Sequence, residues 1–187
     1  MDRYLELRVL PDPEFAPTAV LNALFAKLHR TLALRGTGTV GLSFPGFHNA
    51  KPTLGDRLRL HGTSAALEPL DDFQWLDALR DHLHTIGPAP VPQVDGYRIV
   101  RRVQVKSSPE RLRRRLIARR GIPEADAKQA IPDEAARRSP LPYLTVTSGS
   151  TAQTFRIFVQ HGPLVPEPVG GRFSAYGLSP AATIPWF

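Results

Sequence analysis

The chain has 187 residues, 42% hydrophobic and 22% charged, which allows one large domain or two small ones with a real core and excludes a disordered chain. It contains no cysteine, which removes disulfides and zinc-finger sites. No apolar run reaches the roughly 18 residues that span a bilayer, and the alternating start Met1-Asp2-Arg3-Tyr4 is unlike a signal peptide, so a cytoplasmic protein without a membrane partner is expected.

Tyr4–Val9 alternates, with Leu5, Leu7 and Val9 on one face, and predicts a half-buried strand ended by Pro11 and Pro13. Pro17 opens a helix that runs to about Leu34 and stops at Gly36. Its apolar stripe is Leu21, Leu24, Phe25, Leu28 and Leu32. Strands follow at Thr39–Phe44 and Gly55–His61. Phe73, Leu76, Leu79 and Leu83 suggest a second helix over 73–83. The order β-α-β-β-α begins a ferredoxin-like unit. Gly87–Gly96, with three prolines, reads as a stiff linker. The expected fold is therefore α+β: a ferredoxin-like, RRM-like domain over 1–94, then an α+β domain over 95–187 carrying an arginine-rich helix at about 108–120.

The second half opens with a strand, Tyr97–Val105. Arg98, Arg102, Gln104 and Lys106 share one face and Tyr97, Ile99, Val103 and Val105 the other, with Arg101 as the exception. Ser107 or Ser108 can cap the following helix, with Pro109 at its first position and Glu110 completing a capping box. Arg111, Arg114, Arg115 and Arg119 fall in one wide arc, Ala118 sits inside that arc, and Leu112 and Leu116 lie on its flank. Gly121 ends the helix. Tyr143–Thr147 and Thr154–Gln160 predict strands joined by the turn Ser148-Gly149-Ser150. Gly162–Gly171 reads as a loop, and Phe173–Leu178 and Thr183–Phe187 close the chain.

The net charge is +7, and its distribution says more than its size. Residues 98–120 hold ten cations against one acid, for a local charge of +9, whereas the other 14 cations and 16 acids sum to −2. Such a block repels itself and costs stability unless a polyanion offsets it. Nine of its ten cations are arginine, whose planar fork suits bidentate recognition of phosphate and base edges. Arg102 and Gln104, two apart on a strand, would project the same way at roughly 6.5–7 Å. Arginine pairs with guanine and glutamine with adenine. A nucleic acid, and RNA in particular, is the expected partner.

Several stretches carry a family likeness. They are Met1-Asp2-Arg3-Tyr4-Leu5, Phe25-Ala26-Lys27-Leu28-His29, the block Arg101-Arg102-Val103-Gln104-Val105-Lys106-Ser107-Ser108-Pro109-Glu110-Arg111-Leu112-Arg113-Arg114-Arg115-Leu116, His161-Gly162-Pro163-Leu164, Tyr176-Gly177-Leu178-Ser179 and Pro185-Trp186-Phe187. In these the chain resembles, along its whole length, the CRISPR-associated pre-crRNA endoribonuclease of type I-F systems, a Csy-type repeat-processing nuclease. The resemblance implies metal-independent cleavage of a repeat stem-loop by 2′-OH attack, leaving a 2′,3′-cyclic phosphate. It also implies retention of the crRNA product and partnership with other subunits of a surveillance complex, with no cofactor. By the same resemblance His29 is the general base, Ser148 the hydroxyl that holds the 2′-OH, and Tyr176 a support for the histidine. Arg102 and Gln104 would read bases near the foot of the stem and Phe155 would stack on the terminal base pair. Arg111, Arg114, Arg115, Arg119 and Arg120 would enter the RNA groove, with Ser150 as a further RNA contact. Two positions depart from the family's pattern: Ala118, where the arginine run commonly continues, and Arg120, where a histidine can occur.

Read without the resemblance, these residues leave more open. Histidine is the usual base for such chemistry because it titrates near operating pH, yet His29 could equally flank a core helix. Ser148 is ordinary in a turn, Tyr176 could be a strand aromatic, and Phe155 could pack in the core beside Ile157 and Val159. His82 and His84, two apart, do not share a helix face. Asp71, Asp72, Asp77 and Asp81 read as a solvated face, and no phosphate-loop motif occurs, so no metal or cofactor site is expected. A non-catalytic subunit that binds an RNA stem-loop, and a DNA-binding regulator using the arginine helix, are the rival readings.

Overall fold

β1 (Arg3–Val9) is the centre of the first sheet, and it buries Leu5, Leu7 and Val9 on alternate positions as the sequence pattern requires. It pairs antiparallel with β3 (Arg57–Gly62) on one side and β4 (Leu83–Pro90) on the other, and β2 (Gly41–Ser43) pairs with β3. The strand order is β2-β3-β1-β4. The second sheet contains β5 (Gly96–Val103), β6 (Tyr143–Thr147), β7 (Thr154–Val165) and β8 (Thr183–Trp186) in the order β6-β7-β5-β8, again antiparallel. Counted within each sheet, both follow the 2-3-1-4 order of a ferredoxin-like fold, so the protein is α+β with the expected architecture stated twice.

The computed structural model describes residues 1–48, 51–104, 109–133, 139–147 and 153–187. Two compact units divide the chain, residues 1–103 with 141–187, and residues 104–140. Residue 94 falls between β4 and β5, and both sheets lie within the first unit and contribute to one continuous core. Among the described residues no helix is long and apolar enough to cross a membrane.

The long helix α1 (Pro17–Arg35) starts on Pro17 and ends where Gly36 turns left-handed at φ 62°, its N–H returning to the Leu32 carbonyl. Its buried stripe is Val20, Leu21, Leu24, Phe25, Leu28 and Leu32. Asn22 Oδ1 accepts the Thr145 N–H of β6 at 3.0 Å, which ties the helix to the second sheet. A buried ion pair crosses β1 and β3. Arg59 donates to Glu6 at 2.6 and 2.7 Å and to the Phe187 carbonyl at 2.7 Å, and its guanidinium lies 3.9 Å from the Phe187 ring. Charges this deeply desolvated are tolerated only with such complete pairing.

Three sequence expectations change. The helix expected over 73–83 is absent. In its place are α2 (Ser64–Leu67) and short 3-10 turns at Glu68–Leu70, Gln74–Leu76 and Arg80–His82. Phe73 and Ala78 take left-handed backbone angles that no helix continues through. The 73, 76, 79 spacing suits three residues per turn as well as 3.6, so the apolar positions pack on the core although the element differs. The acids there do not line a helix either: Asp72 Oδ1 accepts the Gln74 N–H. His82 pairs with Asp12 at 2.9 Å, and the two N–H groups of Glu14 and Phe15 hold the Asp12 carboxyl below its usual range.

The stretch expected to be a linker from Gly87 instead completes β4, an edge strand where Pro88 and Pro90 can forgo a donor. The loop expected from Gly162 is still β7 as far as Val165, and the register shift opposite Arg98 and Val100 absorbs the irregularity. Phe173–Leu178 forms a turn: Ser174 N–H bonds to the Leu178 carbonyl at 2.9 Å and Gly177 N–H to the Ser174 carbonyl at 2.8 Å.

In the second unit, α3 (Pro109–Arg120) packs on α4 (Glu124–Ala130), a short helix the sequence pattern did not announce. Leu112, Arg113, Leu116 and Ile117 are half-buried, whereas Arg111, Arg114, Arg115, Ala118, Arg119 and Arg120 are exposed. Arg113 is structural: it donates to the Ile131 carbonyl at 2.7 Å and to Asp133 at 2.5 Å, which holds the Asp133 carboxyl below its usual range.

Two buried imidazoles give the fold an acid sensitivity. Burial pushes His61 down to about 3, beside Arg59, and its Nε2 lies 2.8 Å from Ser43 Oγ. His161, stacked on Phe47 at 4.0 Å, is also pushed to about 3 by burial, with Arg98 adding to the shift. Both titrate lower folded than unfolded, so the unfolded chain takes up protons that the folded chain refuses. Their contribution is complete above about pH 6.5 and falls as the pH drops toward 3. Each histidine should remove about 2 kcal/mol between pH 8 and pH 5. Urea unfolding across that range measures the loss, and His161→Gln should roughly halve it.

Candidate functional site

The site grows from the spacing of α1. Phe25 and His29, four residues apart, stand on one helix face. Phe25 is buried and His29 half-buried at the edge of the stripe. The Tyr176 ring lies parallel to both: its centroid is 6.2 Å from Phe25 with planes 5° apart, and 4.1 Å from His29 with planes 15° apart.

The histidine is fixed at a second point, because His29 Nδ1 is 2.8 Å from the carbonyl oxygen of Ala175. A carbonyl only accepts, so Nδ1 carries the proton. In the neutral ring Nε2 is then the basic nitrogen, free to take a proton from a bound hydroxyl. A hydrogen bond on one ring nitrogen that sets the chemistry of the other is the usual way to orient a catalytic imidazole.

The turn that presents Ala175 is itself closely held. Ser174 Oγ donates to the Leu178 carbonyl at 2.9 Å and accepts the Tyr176 N–H at 3.3 Å. Leu42 N–H of β2 bonds to the Gly177 carbonyl at 2.8 Å. Gly177 sits at φ 67°, and a Cβ there would collide with the Leu42 side chain, so only glycine fits.

Arg102 comes from β5. Its guanidinium carbon lies 5.2 Å from the Tyr176 ring centroid and 6.0 Å from that of Phe155 on β7, within cation–π reach of both. Phe155 is half-buried and packs at the margin of the core, while Ile157 and Val159 of the same face are fully buried. The structure thus links His29, Tyr176, Arg102 and Phe155 through successive contacts. Arg98, four residues back on the arginine face, lies 4.5 Å over the Trp186 ring, where burial lowers its basicity. Arg101 is held across the sheet by Gln160, at 2.7 and 2.9 Å.

The remaining sequence candidates divide. β5 ends at Val103, so Gln104 is exposed beyond the strand. Ser148 and Ser150 lie outside the described residues, as do Val105, Lys106 and the capping serines Ser107 and Ser108. In the second unit, no carboxylate among the described residues pairs with Arg114, Arg115, Arg119 or Arg120. Sequence reasoning did not single out Ala175, Phe25 or Gly177 as parts of the site. The first acts through its backbone and leaves no side-chain signal, whereas the Tyr-Gly-Leu turn marks the last.

A sequence profile for the family described as CRISPR-associated protein (Cas_Csy4) matches residues 4–187. The chain is 49% identical over 187 residues to the CRISPR-associated endonuclease Cas6/Csy4 of Escherichia coli strain UTI89, with the full length of both chains covered. It is 47% identical over 187 residues to the protein of the same name from Pseudomonas aeruginosa strain UCBPP-PA14, again over the full length of both.

The tautomer is directly measurable. Nitrogen NMR of the ring-labelled protein should show neutral His29 protonated at Nδ1, and Tyr176→Leu should mobilise the ring and restore a mixture of tautomers. A wild-type spectrum showing the proton on Nε2 would contradict the assignment.

Proposed function

This chain belongs to the Csy4 family of CRISPR-associated proteins, and on that premise we propose that it is an endoribonuclease that cuts CRISPR repeat stem-loops out of pre-crRNA. The observation that carries the reading is the His29 ring, stacked on Tyr176 and bonded through Nδ1 to the Ala175 carbonyl, with Nε2 left basic and with Arg102 lying between that same tyrosine ring and Phe155.

In this reading, Phe155 receives the terminal base pair of the stem and Arg102 a guanine edge next to it. Readout at a stem end is favoured because the interior major groove of an RNA duplex is too deep and narrow for side chains. Gln104 reads a neighbouring base. Arg111, Arg114, Arg115, Arg119 and Arg120 grip the phosphates of the stem, and Ala118 permits close approach. Ser150 is a further RNA contact.

His29 Nε2 removes the proton from the ribose 2′-OH, which Ser148 holds. The 2′ oxygen attacks the adjacent phosphorus, the bond to the 5′ oxygen breaks, and that oxygen leaves as a 5′-hydroxyl after taking up a proton. The product ends in a 2′,3′-cyclic phosphate. The reaction consumes no water and exchanges no electrons, so it is balanced without a metal or cofactor. The arginine grip on the stem is not lost on cleavage, which suits a cytoplasmic enzyme that keeps its crRNA and hands it to the other subunits of a type I-F surveillance complex.

A repeat RNA hairpin should be cut in EDTA at an undiminished rate. A 2′-deoxy substitution just upstream of the scissile phosphate should abolish cutting and leave affinity intact, and cleavage of that deoxy substrate would refute the chemistry. Replacing Arg114 and Arg115 together by alanine should weaken RNA binding broadly and reduce the slope of log affinity against log salt by about one to two. An unchanged slope would mean that neither arginine touches phosphate.

A further inference from the structure

A cavity of about 210 Å³ opens in the first unit at Leu32, three residues along α1 from His29, and none of the roles above uses it. One wall is the end of α1 and the turn after it, with Leu32, Thr37 and Gly38. The other is the segment of Arg172, Ser174 and Ala175. Ala175 is the residue whose carbonyl bonds to His29, so one residue both lines the cavity and touches the histidine.

The walls are preformed. Phe173 N–H bonds to the Gly38 carbonyl at 3.0 Å, and Gly38 itself takes φ 66°, where a Cβ would press on the Phe173 carbonyl and the Arg172 side chain. Arg172 is exposed and donates to the Thr37 carbonyl over a long 3.4 Å. A guanidinium has five donors, so most remain for a ligand. The cavity is smaller than the roughly 300–1,000 Å³ of pockets for drug-sized molecules, and its lining mixes apolar walls with one cation.

The order of groups gives it a direction. From Phe155 successive contacts lead to Arg102, then Tyr176, then His29, then Ala175, which lines the cavity. If the stem ends on Phe155 and the scissile phosphate lies at His29, the strand that continues past the cut heads for the cavity. Resting on the function argued above, we propose that the cavity binds the first nucleotide 3′ of the scissile phosphate: its base enters between the two walls, and Arg172 contacts the phosphate that follows it. The site then positions the leaving nucleotide for in-line departure, and it empties on cleavage because the product strand ends before it.

The test compares Arg172→Ala, Arg172→Lys and the wild-type enzyme on two RNA hairpins, one intact and one abasic at the first nucleotide beyond the cut. Single-turnover cleavage and affinity for the cleaved hairpin are measured together. The abasic substrate should be cut about tenfold more slowly by the wild-type enzyme, and Arg172→Ala should cut the intact substrate about tenfold more slowly. Arg172→Lys should recover part of that rate, and affinity for the cleaved hairpin should be the same in all three proteins. Wild-type rates for both the abasic substrate and Arg172→Ala would overturn the subsite while leaving the nuclease reading intact. An equal loss of affinity for the cleaved hairpin would place Arg172 on the stem and overturn it too. Failure of the wild-type enzyme to cut the intact hairpin would overturn the nuclease reading and the subsite together.

Discussion

The hydrogen bond between the His29 ring and the Ala175 carbonyl is the constraint on which the site depends. It joins residues 146 positions apart, and neither end could make it unaided. α1 supplies the imidazole at the margin of its buried stripe, four residues after Phe25. The turn after β7 supplies the carbonyl, and that turn is held by Ser174, by Gly177 in the left-handed region and by a bond from β2. Tyr176 completes the arrangement by stacking on both aromatic residues of the helix face. The result is an imidazole with its tautomer and plane set before any substrate arrives, which saves the reorganisation that a mobile base would need.

The charge distribution supports a division of labour. Arg59, Arg98, Arg101 and Arg113 are each occupied within the fold, by a carboxylate, aromatic rings, a glutamine or a carbonyl. The exposed face of α3 keeps Arg114, Arg115, Arg119 and Arg120 together on twelve residues. Such a helix repels itself and is not held by a buried stripe of its own, since none of its residues is fully buried. A polyanion is the natural complement.

Much of this was legible in the sequence, for physical reasons that differ by element. The alternation in β1 and the period of α1, with its Pro17 and Gly36 signals, are read correctly because one face of each is buried and the other is not. The basic face of α3 is read correctly because charge pattern alone defines it. The stretch 73–83 is misread because apolar spacing of three fits a 3-10 turn as well as an α-helix. β4 is missed because an edge strand tolerates the prolines that read as a linker. At the site, spacing put Arg102 on the basic face of a strand and His29 at the helix margin. It could not reveal that Arg102 is flanked by Phe155 and Tyr176 or that a backbone carbonyl fixes the histidine, because such contacts belong to topology and not to any local pattern.

The most direct test of the central claim is chemical rescue of His29→Gly with free imidazole, measured as single-turnover cleavage of the RNA hairpin. The account predicts that the variant binds RNA as tightly as the wild-type enzyme and cuts it poorly. Added imidazole should restore cutting in proportion to its concentration, at the same phosphodiester and with the same cyclic-phosphate product. A variant that cuts at the wild-type rate without imidazole would show that His29 is not the base, and the role given to the Ala175 carbonyl would fall with it.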